Sequence, residues 1–419
     1  MTVTQAAQKV VVIGAGIIGV CAANALADEG FAVEFIDPLE PGSPGQCSYG
    51  NAGGLSPGSC IPNSMPGIAR QVPGMLLDRE GPIGLRLLDL PHALPWLLRF
   101  LANSRLSRVQ RIADGMIELN RLTLACYEPL VKEAGCADLI LHRGQLFAYE
   151  NPNGPAGSAL SIAMRRERGV RVEVLNAAQM RELEPAISPD YKAGVFLPEQ
   201  GQCPNPGRLV ASIAALARRK GVVFTRQSAR SLVMQQGRVV GVATEAGMIS
   251  ATKVVVAAGA FSGPFARQVG VRVPLVSERG YHIMLPHAET GLRVNVNAAE
   301  RKFVAAPMEG GLRLSGTVEF ARPSAAPNWR RAEILLGQAR HMFPGADLRG
   351  VERWMGNRPG TPDSIPVIEV APRHDNVILA FGHGHQGLMG GSVTGRLVAE
   401  LATGKPTSID ISHFRSARF

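Results

Sequence analysis

Cysteine is scarce in this sequence, and the few cysteines are scattered. The 419 residues include six of them, none in a Cys-x-x-Cys pair. No histidine stands beside them at the spacing of a metal-ligand set. A disulfide framework is typical of much smaller secreted domains. We therefore expect free thiols and no metal site.

Aromatic side chains make up only 5% of the chain and charged ones 19%, yet the formal net charge is +10. The basic residues form short, separate groups without an aromatic-rich motif, which predicts no nucleic-acid partner. These groups are Arg165, Arg166 and Arg168; Arg218, Arg219 and Lys220; Arg330 and Arg331; and Arg415 and Arg418. A weak attraction to an anionic membrane surface stays compatible with this charge.

A long apolar run, residues 10–27, has the length of a membrane-spanning helix. Gly14, Gly16 and Gly19 divide it, so a strand, a turn and a helix explain it better. Residues 1–9 are polar, from which we expect no cleavable signal and a cytoplasmic location.

Glycine is abundant, with 47 residues, and a chain of this length is expected to form two or three domains. The many glycines favour an α/β enzyme with tight strand-to-helix turns. Near the start, the β-branched run Lys9–Ile13 predicts a buried strand. A helix is predicted from Ile17 to Glu29, stopping at Gly30, and a second strand from Ala32 to Ile36.

The turn between the first strand and the helix reads Gly14-Ala15-Gly16-Ile17-Ile18-Gly19. In such a turn the first glycine makes the bend, the second admits a pyrophosphate and the third lets helix and strand pack closely. The helix N-terminus attracts the phosphates. Asp37, at the end of the second strand, is placed to accept hydrogen bonds from the adenosine ribose. The unit predicts a bound dinucleotide.

A second glycine-rich turn, Gly382–Gly387, distinguishes FAD from NAD. It follows a predicted strand, Asn376–Phe381, and precedes a predicted helix, Ser392–Leu401, but only 32 residues remain after it. No second strand ending in an acid follows, so it cannot form another complete nucleotide-binding unit. We infer that the chain returns to the first domain and contacts another part of one extended FAD. The segment Lys253–Gly259 is either a strand beside the cofactor or an ordinary core strand.

Five segments together resemble the D-amino-acid dehydrogenase family, within the D-amino-acid oxidase and glycine oxidase group of flavoproteins. They match in order and spacing over residues 9 to 402. They are the glycine fingerprint, Cys47–Pro57, VVVAAGAFS, Trp354–Pro366 and FGHGHQGLMGG. The segment Ser277–His282 resembles the branch that acts on D-hydroxyproline.

The resemblance implies an α/β (mixed α+β) fold in two domains. A discontinuous Rossmann-like FAD-binding domain would comprise residues 1–66, 200–270 and 350–419. An inserted substrate-binding domain with an antiparallel sheet would comprise residues 67–199 and 271–349. Strand-like character at Leu139–Tyr149, Tyr281–Leu285, Lys302–Pro307 and Leu312–Glu319 is compatible with that sheet.

The implied reaction moves a hydride from the α-carbon of an amino acid to flavin N5, after which water hydrolyses the imine. Arg358 is the expected anchor of the substrate carboxylate, since a guanidinium grips a carboxylate with two hydrogen bonds. Tyr281 is either a second donor to that carboxylate or a core tyrosine. His282, His383 and His385 either face the pocket or pack structurally. Glu278 and Arg279 either pair with each other or line the entrance. No general base is assigned.

The resemblance also implies the residues around a noncovalently bound FAD. Asn51, Ala52 and Gly53 would adjoin the isoalloxazine, and Ser48 would cap a helix or touch the pyrophosphate. Backbone N–H groups near Gly387 would face flavin N1 or O2. The full set expected at the cofactor is Gly14, Gly16, Ile17, Ile18, Gly19, Asp37, Ser48, Asn51, Ala52, Gly53, Ala258, Gly259, Gly384, Gln386, Gly387, Leu388 and Met389.

Several alternatives stay open in the sequence. Electrons would pass to a quinone or another acceptor, or to oxygen in an oxidase, and a non-catalytic flavoprotein subunit is the remaining alternative. The apolar segment 83–101, which includes Arg86 and Arg99, is either a membrane-surface apron or a helix pair within the substrate domain. A homo-oligomer and a peripheral contact at the inner face of the cytoplasmic membrane are both compatible with the family.

Overall fold

The fold is taken from a computed structural model that describes residues 8–78 and 80–419. Residues 1–7, which belong to the range 1–66 predicted for the FAD domain, lie outside the described residues. The strands are β1 (Lys9–Ile13), β2 (Ala32–Ile36), β3 (Gly54–Leu55), β4 (Ile83–Leu85), β5 (Leu141–His142), β6 (Gln145–Tyr149), β7 (Glu173–Asn176), β8 (Ala193–Leu197), β9 (Gly201–Gln202), β10 (Val223–Thr225), β11 (Ala229–Gln235), β12 (Arg238–Thr244), β13 (Gly247–Ser250), β14 (Lys253–Val256), β15 (Val276–Leu285), β16 (Asn295–Ala298), β17 (Phe303–Met308), β18 (Gly311–Phe320), β19 (Glu352–Gly360), β20 (Val367–Ala371) and β21 (His374–Phe381).

The helices vary from one turn to five. They are α1 (Ile17–Asp28), α2 (Ile68–Leu77), α3 (Leu90–Ala102), α4 (Leu106–Asn120), α5 (Thr123–Ala134), α6 (Gly154–Gly157), α7 (Ala159–Glu167), α8 (Ala177–Leu183), α9 (Pro206–Arg219), α10 (Gly263–Gln268), α11 (Arg330–Met342) and α12 (Gly387–Thr403). Short 3₁₀ helices lie at Leu87–Asp89, Ala137–Leu139, Gly259–Phe261, Gly384–Gln386, Ser412–Phe414 and Ser416–Arg418.

A six-stranded sheet is built around the first βαβ unit, in the order β10-β2-β1-β14-β21-β20. All its pairs are parallel except β20 with β21. The predicted strands at Lys9–Ile13 and Ala32–Ile36 are confirmed, and the helix between them ends one residue earlier than predicted, at Asp28. The β-branched strands are buried on both faces, as a parallel sheet covered by helices requires.

The chain returns to this sheet at its C-terminus. β21 lies next to β14, and α12 packs along α1. The approach is close, because a Cβ on Gly395 would lie 2.7 Å from the backbone carbon of Cys21. α12 begins at Gly387, five residues before the predicted start, so its N-terminus lies directly after the second glycine-rich turn.

The second sheet is larger and mostly antiparallel. Its main path is β19-β15-β18-β17-β16-β6-β8-β7, and β4 pairs with β18. The β16–β6 and β18–β4 pairs are parallel. The strands predicted within residues 281–285 and 312–319 are confirmed and extend further, and the strand predicted at 302–307 is found one residue later, at Phe303–Met308. The segment predicted from Leu139 to Tyr149 is instead split into a 3₁₀ turn, β5 and β6.

The membership of the two sheets follows the predicted domain ranges with one difference. β19 hydrogen-bonds along β15 in the large sheet, although residues 350–419 were assigned to the FAD domain. Its residues bring Arg358 into the large sheet. The domain boundaries themselves stay a prediction.

The segment 83–101 does not form a helix pair. Its start is β4, which pairs with β18, and its second half is the single helix α3. Trp96 is buried, and its Nε1 donates to the Gly360 carbonyl over 3.1 Å. Leu94 and Leu98, on the same helix, are exposed. Within the described residues no helix has the length and apolar character to cross a membrane. Membrane contact and oligomeric state stay predictions.

The cysteines and candidate metal ligands can be examined in residues 8–78 and 80–419. All six cysteines are free. No cluster of histidine, cysteine or acidic side chains there could hold a metal ion.

Candidate active site

The turn from β1 into α1 is a cradle that side chains would fill. Gly14 has φ +106°, and a Cβ there would lie 2.8 Å from the carbonyl carbon of Ala257. A Cβ on Gly19 would lie 2.8 Å from the backbone carbon of Gly14. Glycine is therefore required at both positions by close backbone packing, the first of them also by its left-handed conformation. This geometry fits a phosphate group seated over the turn.

The Ser48 side chain holds the N-terminus of α1. The Ile17 N–H donates to Ser48 Oγ over 3.1 Å, which satisfies the first amide of the helix. Among the described residues, no acceptor is recorded for the amides of Gly16, Ile18 and Gly19. Unpaired N–H groups at a helix N-terminus are what a pyrophosphate binds.

Asp37 lies where the ribose prediction requires an acid, at the end of β2. Its two oxygens accept hydrogen bonds from the backbone N–H of Ala15 (2.8 Å) and of Leu39 (2.9 Å). Burial raises the pKa of Asp37, and these hydrogen bonds oppose the rise. A carboxylate has room for about four hydrogen bonds, so acceptor capacity for ribose hydroxyls remains.

The second glycine-rich turn and the end of β14 reach the same edge of the six-stranded sheet. Ala258 and Gly259 follow β14 directly, and Gly384 to Gln386 follow β21. The side chain of Gln386 accepts a hydrogen bond from Asn120 Nδ2 over 2.7 Å. The first three amides of α12, at Gly387, Leu388 and Met389, have no recorded acceptor among the described residues. These are the N–H groups that the sequence predicted to face the flavin.

The loop 49–53 is held against the large sheet, and sequence reasoning missed the residue that fixes the loop there. Arg313, on β18, donates to the carbonyls of Tyr49 (3.1 Å) and Asn51 (2.6 Å). Burial lowers the pKa of Arg313 to about 10. Asn295, on β16, lies 3.5 Å from the Ala52 carbonyl. The signal was present in the sequence, because an arginine alternates with Leu312 and Leu314 and must point away from the core that they form.

Arg358 lies on the same face of the large sheet as this loop. Its register partner on β15 is Glu278, and its guanidinium leans over Gly280, where a Cβ would overlap it. Burial lowers the pKa of Arg358, while Cys47 and Glu278 oppose that effect. Within the described residues, no hydrogen bond or ion pair is recorded for the guanidinium. An unpaired, half-buried cation is costly, so the arrangement fits an anion as its partner.

Beside Glu278, the register partner of Arg358, is a small cavity of about 130 Å³. Its lining includes Glu278 and His385, whose Oε2 and Nδ1 lie 3.4 Å apart. His385 is 41% exposed and lines this cavity, which is the first of the two alternatives left open for it. Glu278, for which pairing with Arg279 or a place at the entrance was left open, lines the cavity and is only 6% exposed.

His282 also lies on this face, beside the loop. Its Nδ1 is 3.2 Å from the Gly50 carbonyl, which can only accept, so Nδ1 carries the hydrogen. Its ring stacks on Trp354 at 4.8 Å. Burial, with the nearby charges of Arg313 and Arg358, lowers the pKa of His282 to about 3, so the ring is neutral near pH 7.

The structure does not bring Tyr281 to this cleft. Neighbouring residues of a strand point to opposite faces, and Tyr281 points into the core below α11. Its hydroxyl donates to Glu319 Oε2 (2.6 Å) and accepts from the Asn328 N–H (2.9 Å). Arg279 lies on that face too, 3.2 Å from Glu319, so it neither pairs with Glu278 nor lines the cleft. The prediction of Tyr281 as a carboxylate donor therefore has no support in this geometry.

His383 is likewise a packing residue. It is 2% exposed, and its Nε2 lies 2.9 Å from Thr394 Oγ1 of α12. Burial lowers the pKa of His383 to about 3. Its contact fixes the second glycine-rich turn to α12 and leaves it no access to a substrate.

Cys47 is close to Arg358 but does not behave as a reactive thiol. Burial raises its pKa to about 11, although the Arg358 charge opposes the rise. The nucleophile of a cysteine is its thiolate, and Cys47 is protonated near pH 7. This agrees with a noncovalently held cofactor.

The profile of the family described as FAD dependent oxidoreductase (DAO) matches residues 9–401. The chain belongs to this family. Its cofactor is accordingly FAD, and the cradle at Gly14, the acid at Asp37 and the free amides of α12 are the residues that fit it.

Two curated members of the family match nearly the whole chain. A protein of Bradyrhizobium diazoefficiens named D-amino-acid oxidase is 41% identical over 417 residues, which cover 98% of this chain and 99% of that protein. A D-amino acid dehydrogenase of Paramagnetospirillum magneticum is 33% identical over 420 residues, with the same shares covered.

Solved structures confirm the mixed α/β fold at lower identity. Glycine oxidase from Geobacillus kaustophilus is 22% identical with a TM-score of 0.75, over 98% of this chain and 99% of that one. L-proline dehydrogenase from P. horikoshii is 18% identical with a TM-score of 0.76, over 99% and 98%. The chain is thus an FAD-dependent oxidoreductase whose fold is shared along its length.

Proposed function

We propose that this enzyme oxidises the amino-bearing α-carbon of a D-amino acid to an imine, which water hydrolyses to a 2-oxo acid. Bound FAD would supply the acceptor for the hydride. The curated relatives support a D-amino acid as substrate, since their names specify D-amino acids. Electrons would pass on to a quinone or another acceptor.

The proposal depends most on one observation, the unpaired guanidinium of Arg358, whose register partner Glu278 lines a small cavity. A carboxylate is the ligand that best matches a planar, bidentate donor. Fixing the carboxylate also fixes the α-carbon, because the two are directly bonded. Gly280 supplies the space in which the guanidinium lies. A protein that only bound FAD would have no need of such an anchor.

Within this class, cis-4-hydroxy-D-proline and D-proline are the substrates that the Ser277–His282 segment favours by its resemblance. A second candidate function is an oxidase that reduces oxygen to hydrogen peroxide. The relative at 41% identity, which is named an oxidase, supports that alternative.

The test is anaerobic mixing of the FAD-loaded protein with a panel of D- and L-amino acids, including both proline derivatives, while the visible flavin absorbance is followed. We expect bleaching with D-enantiomers. Absence of bleaching by every amino acid would reject the proposal. Oxygen or a soluble quinone analogue added afterwards separates an oxidase from a dehydrogenase by which of them restores the colour.

A further inference from the structure

Glu278 is a buried carboxylate that the described residues leave without a hydrogen-bond donor. It is 6% exposed and lines the 130 Å³ cavity. Among the described residues, no hydrogen-bond donor to its oxygens is recorded, and its ion-pair contact is to His385 at 3.4 Å. Buried charges are normally paired or hydrogen-bonded. A carboxylate left open towards a cavity therefore points to a ligand that carries the partner.

Glu278 and Arg358 are register partners on β15 and β19, yet their charged ends diverge. The guanidinium leans over Gly280 and the carboxylate leans the other way, over Gly360. A Cβ on Gly360 would lie 2.6 Å from Glu278 Cδ. The two glycines thus provide two slots, one for each charged group. Within the described residues the pair forms no ion pair of its own, so both charges remain available.

A cation and an anion held side by side without neutralising each other match a zwitterion. An α-amino acid carries its carboxylate and its ammonium on one carbon. With the carboxylate on Arg358, the ammonium would have Glu278 as its charge-matched neighbour. Among the described residues that line this cavity, no other side chain carries a negative charge.

We propose that Glu278 binds the amino nitrogen of the substrate and accepts its proton. The N–H bond of the ammonium breaks, an O–H bond forms on the carboxylate, and the nitrogen keeps the electron pair. The product is the neutral amine, the form from which the α-carbon can be oxidised. This assignment rests on the proposed function, since it takes the ligand to be an amino acid.

The groups that face Glu278 favour this exchange. Burial raises the pKa of Glu278 to about 7, and the Arg358 charge opposes the rise. His282 and His385 both lie nearby on the cleft face. Burial and the Arg358 charge lower the pKa of His385 below its ordinary value, so its imidazole is neutral near pH 7. Cys47 is protonated. A base whose pKa lies near the working pH is the most effective one.

Two small ligands that cannot be oxidised test whether Glu278 binds the amino nitrogen. 2-Aminoisobutyrate has no α-hydrogen, and pivalate is its amine-free counterpart, with a methyl group in place of the ammonium. Each is titrated into the FAD-loaded protein, and its dissociation constant is read from the flavin absorbance. In the wild type at pH 8 we expect 2-aminoisobutyrate to bind at least ten-fold more tightly than pivalate. Between pH 8 and pH 6 this preference should shrink as Glu278 takes up a proton.

The variant Glu278→Gln keeps the size and removes the charge. We expect it to weaken 2-aminoisobutyrate at least ten-fold and to leave pivalate unchanged or bound more tightly. Glu352→Gln, an exposed position on the same strand β19 as Arg358, is the matched control and should change neither. Equal changes for both ligands would show a structural role and overturn the assignment. The assignment would also be overturned if the wild type bound 2-aminoisobutyrate no more tightly than pivalate, a result that requires no variant.

Turnover gives the second readout. Wild-type kcat/KM should rise as the pH increases through about 7, and Glu278→Gln should lose that limb and fall about 100-fold at pH 8. An unchanged pH profile contradicts a proton acceptor here. Flavin bleaching of the wild type distinguishes failure of the proposed function from failure of the role assigned to Glu278. Without any bleaching the proposed function fails, whereas bleaching with an unaltered Glu278→Gln profile rejects only the role of Glu278.

Discussion

The guanidinium of Arg358 lies over the bare backbone of Gly280 on the neighbouring strand, in space that a Cβ would occupy. Gly280→Ala should therefore displace the guanidinium rather than unfold the sheet, since a flexible side-chain end can move. We expect KM for the amino acid to rise about ten-fold, roughly 1.4 kcal/mol of lost binding, with kcat less affected. Steady-state kinetics with the amino acid that bleaches the flavin would measure it.

The control for this prediction is Gly337→Ala on α11, an exposed site with no atom within 4 Å of the added Cβ. Alanine there should raise the free energy of unfolding by up to about 1 kcal/mol and leave KM alone, because it improves helix propensity. An unchanged KM in Gly280→Ala would show that the guanidinium does not hold the substrate where it now lies.

Arg358→Lys tests the forked geometry separately from the charge. Lysine keeps the positive charge but cannot donate two parallel hydrogen bonds. We expect KM to rise about 10- to 100-fold, and by more in Arg358→Ala, while the flavin content stays that of the wild type. If lysine restored the full affinity, a simple point charge would explain the site and the bidentate anchor would be wrong.

Gly19→Ala should remove the cofactor. The added Cβ would lie 2.8 Å from the backbone carbon of Gly14, so α1 must move away from the turn that presents its amides. The ratio of bound FAD to protein, taken from the visible and ultraviolet absorbance, should drop several-fold. Gly157→Ala adds a Cβ in open space on α6 and should keep full flavin occupancy. A fully loaded Gly19→Ala protein would contradict the assigned cradle.

Tyr281→Phe separates the two interpretations of that tyrosine. Its hydroxyl donates to the Glu319 carboxylate and accepts from the Asn328 N–H inside the core. Loss of a hydrogen bond to a charged group should lower the free energy of unfolding by about 1.5–3 kcal/mol, seen in urea denaturation. KM should not change. A raised KM without lost stability would return Tyr281 to the substrate site.

His383 makes stability depend on pH. Its pKa is lowered from 6.5 to about 3 by burial, so between those values the unfolded chain binds more protons than the folded one. Stability from this group is complete above about pH 6.5 and falls by about 1.4 kcal/mol per pH unit below it. In His383→Gln, the slope between pH 4 and 6 should decrease by that amount. An identical slope in urea denaturation would exclude His383 as its source.

Much of the fold could be predicted from the sequence because its signals are local. The first strand, the glycine turn, the helix and Asp37 lie within 30 residues, and each has a physical requirement that spacing alone reveals. The later strands were also found, since alternation of apolar residues shows them directly. The boundaries of α12 and the split between β5 and β6 were missed, because short-range propensity does not fix where an element ends.

The active-site residues could be predicted only in part, because their positions depend on contacts between distant parts of the chain. Arg358 and His385 lie at the cleft, whereas Tyr281 and His383 are held in the core by Glu319 and Thr394. A strand pattern shows that Tyr281 and His282 face opposite ways, but not which of them faces the cofactor. Arg313 was missed and the role of Glu278 was left open, because the importance of both residues depends on a loop and a strand far away in sequence.

The sequence by itself determined that the chain binds an extended dinucleotide, since a βαβ unit needs its glycines and its acid at fixed spacing. Only the tertiary structure decided what surrounds the reacting end of that cofactor. It paired β15 with β19 and opened slots at Gly280 and Gly360. In those slots lie the charged ends of Arg358 and Glu278, which are register partners but form no ion pair with each other within the described residues. Such a juxtaposition is set by register between distant strands, which no local pattern encodes.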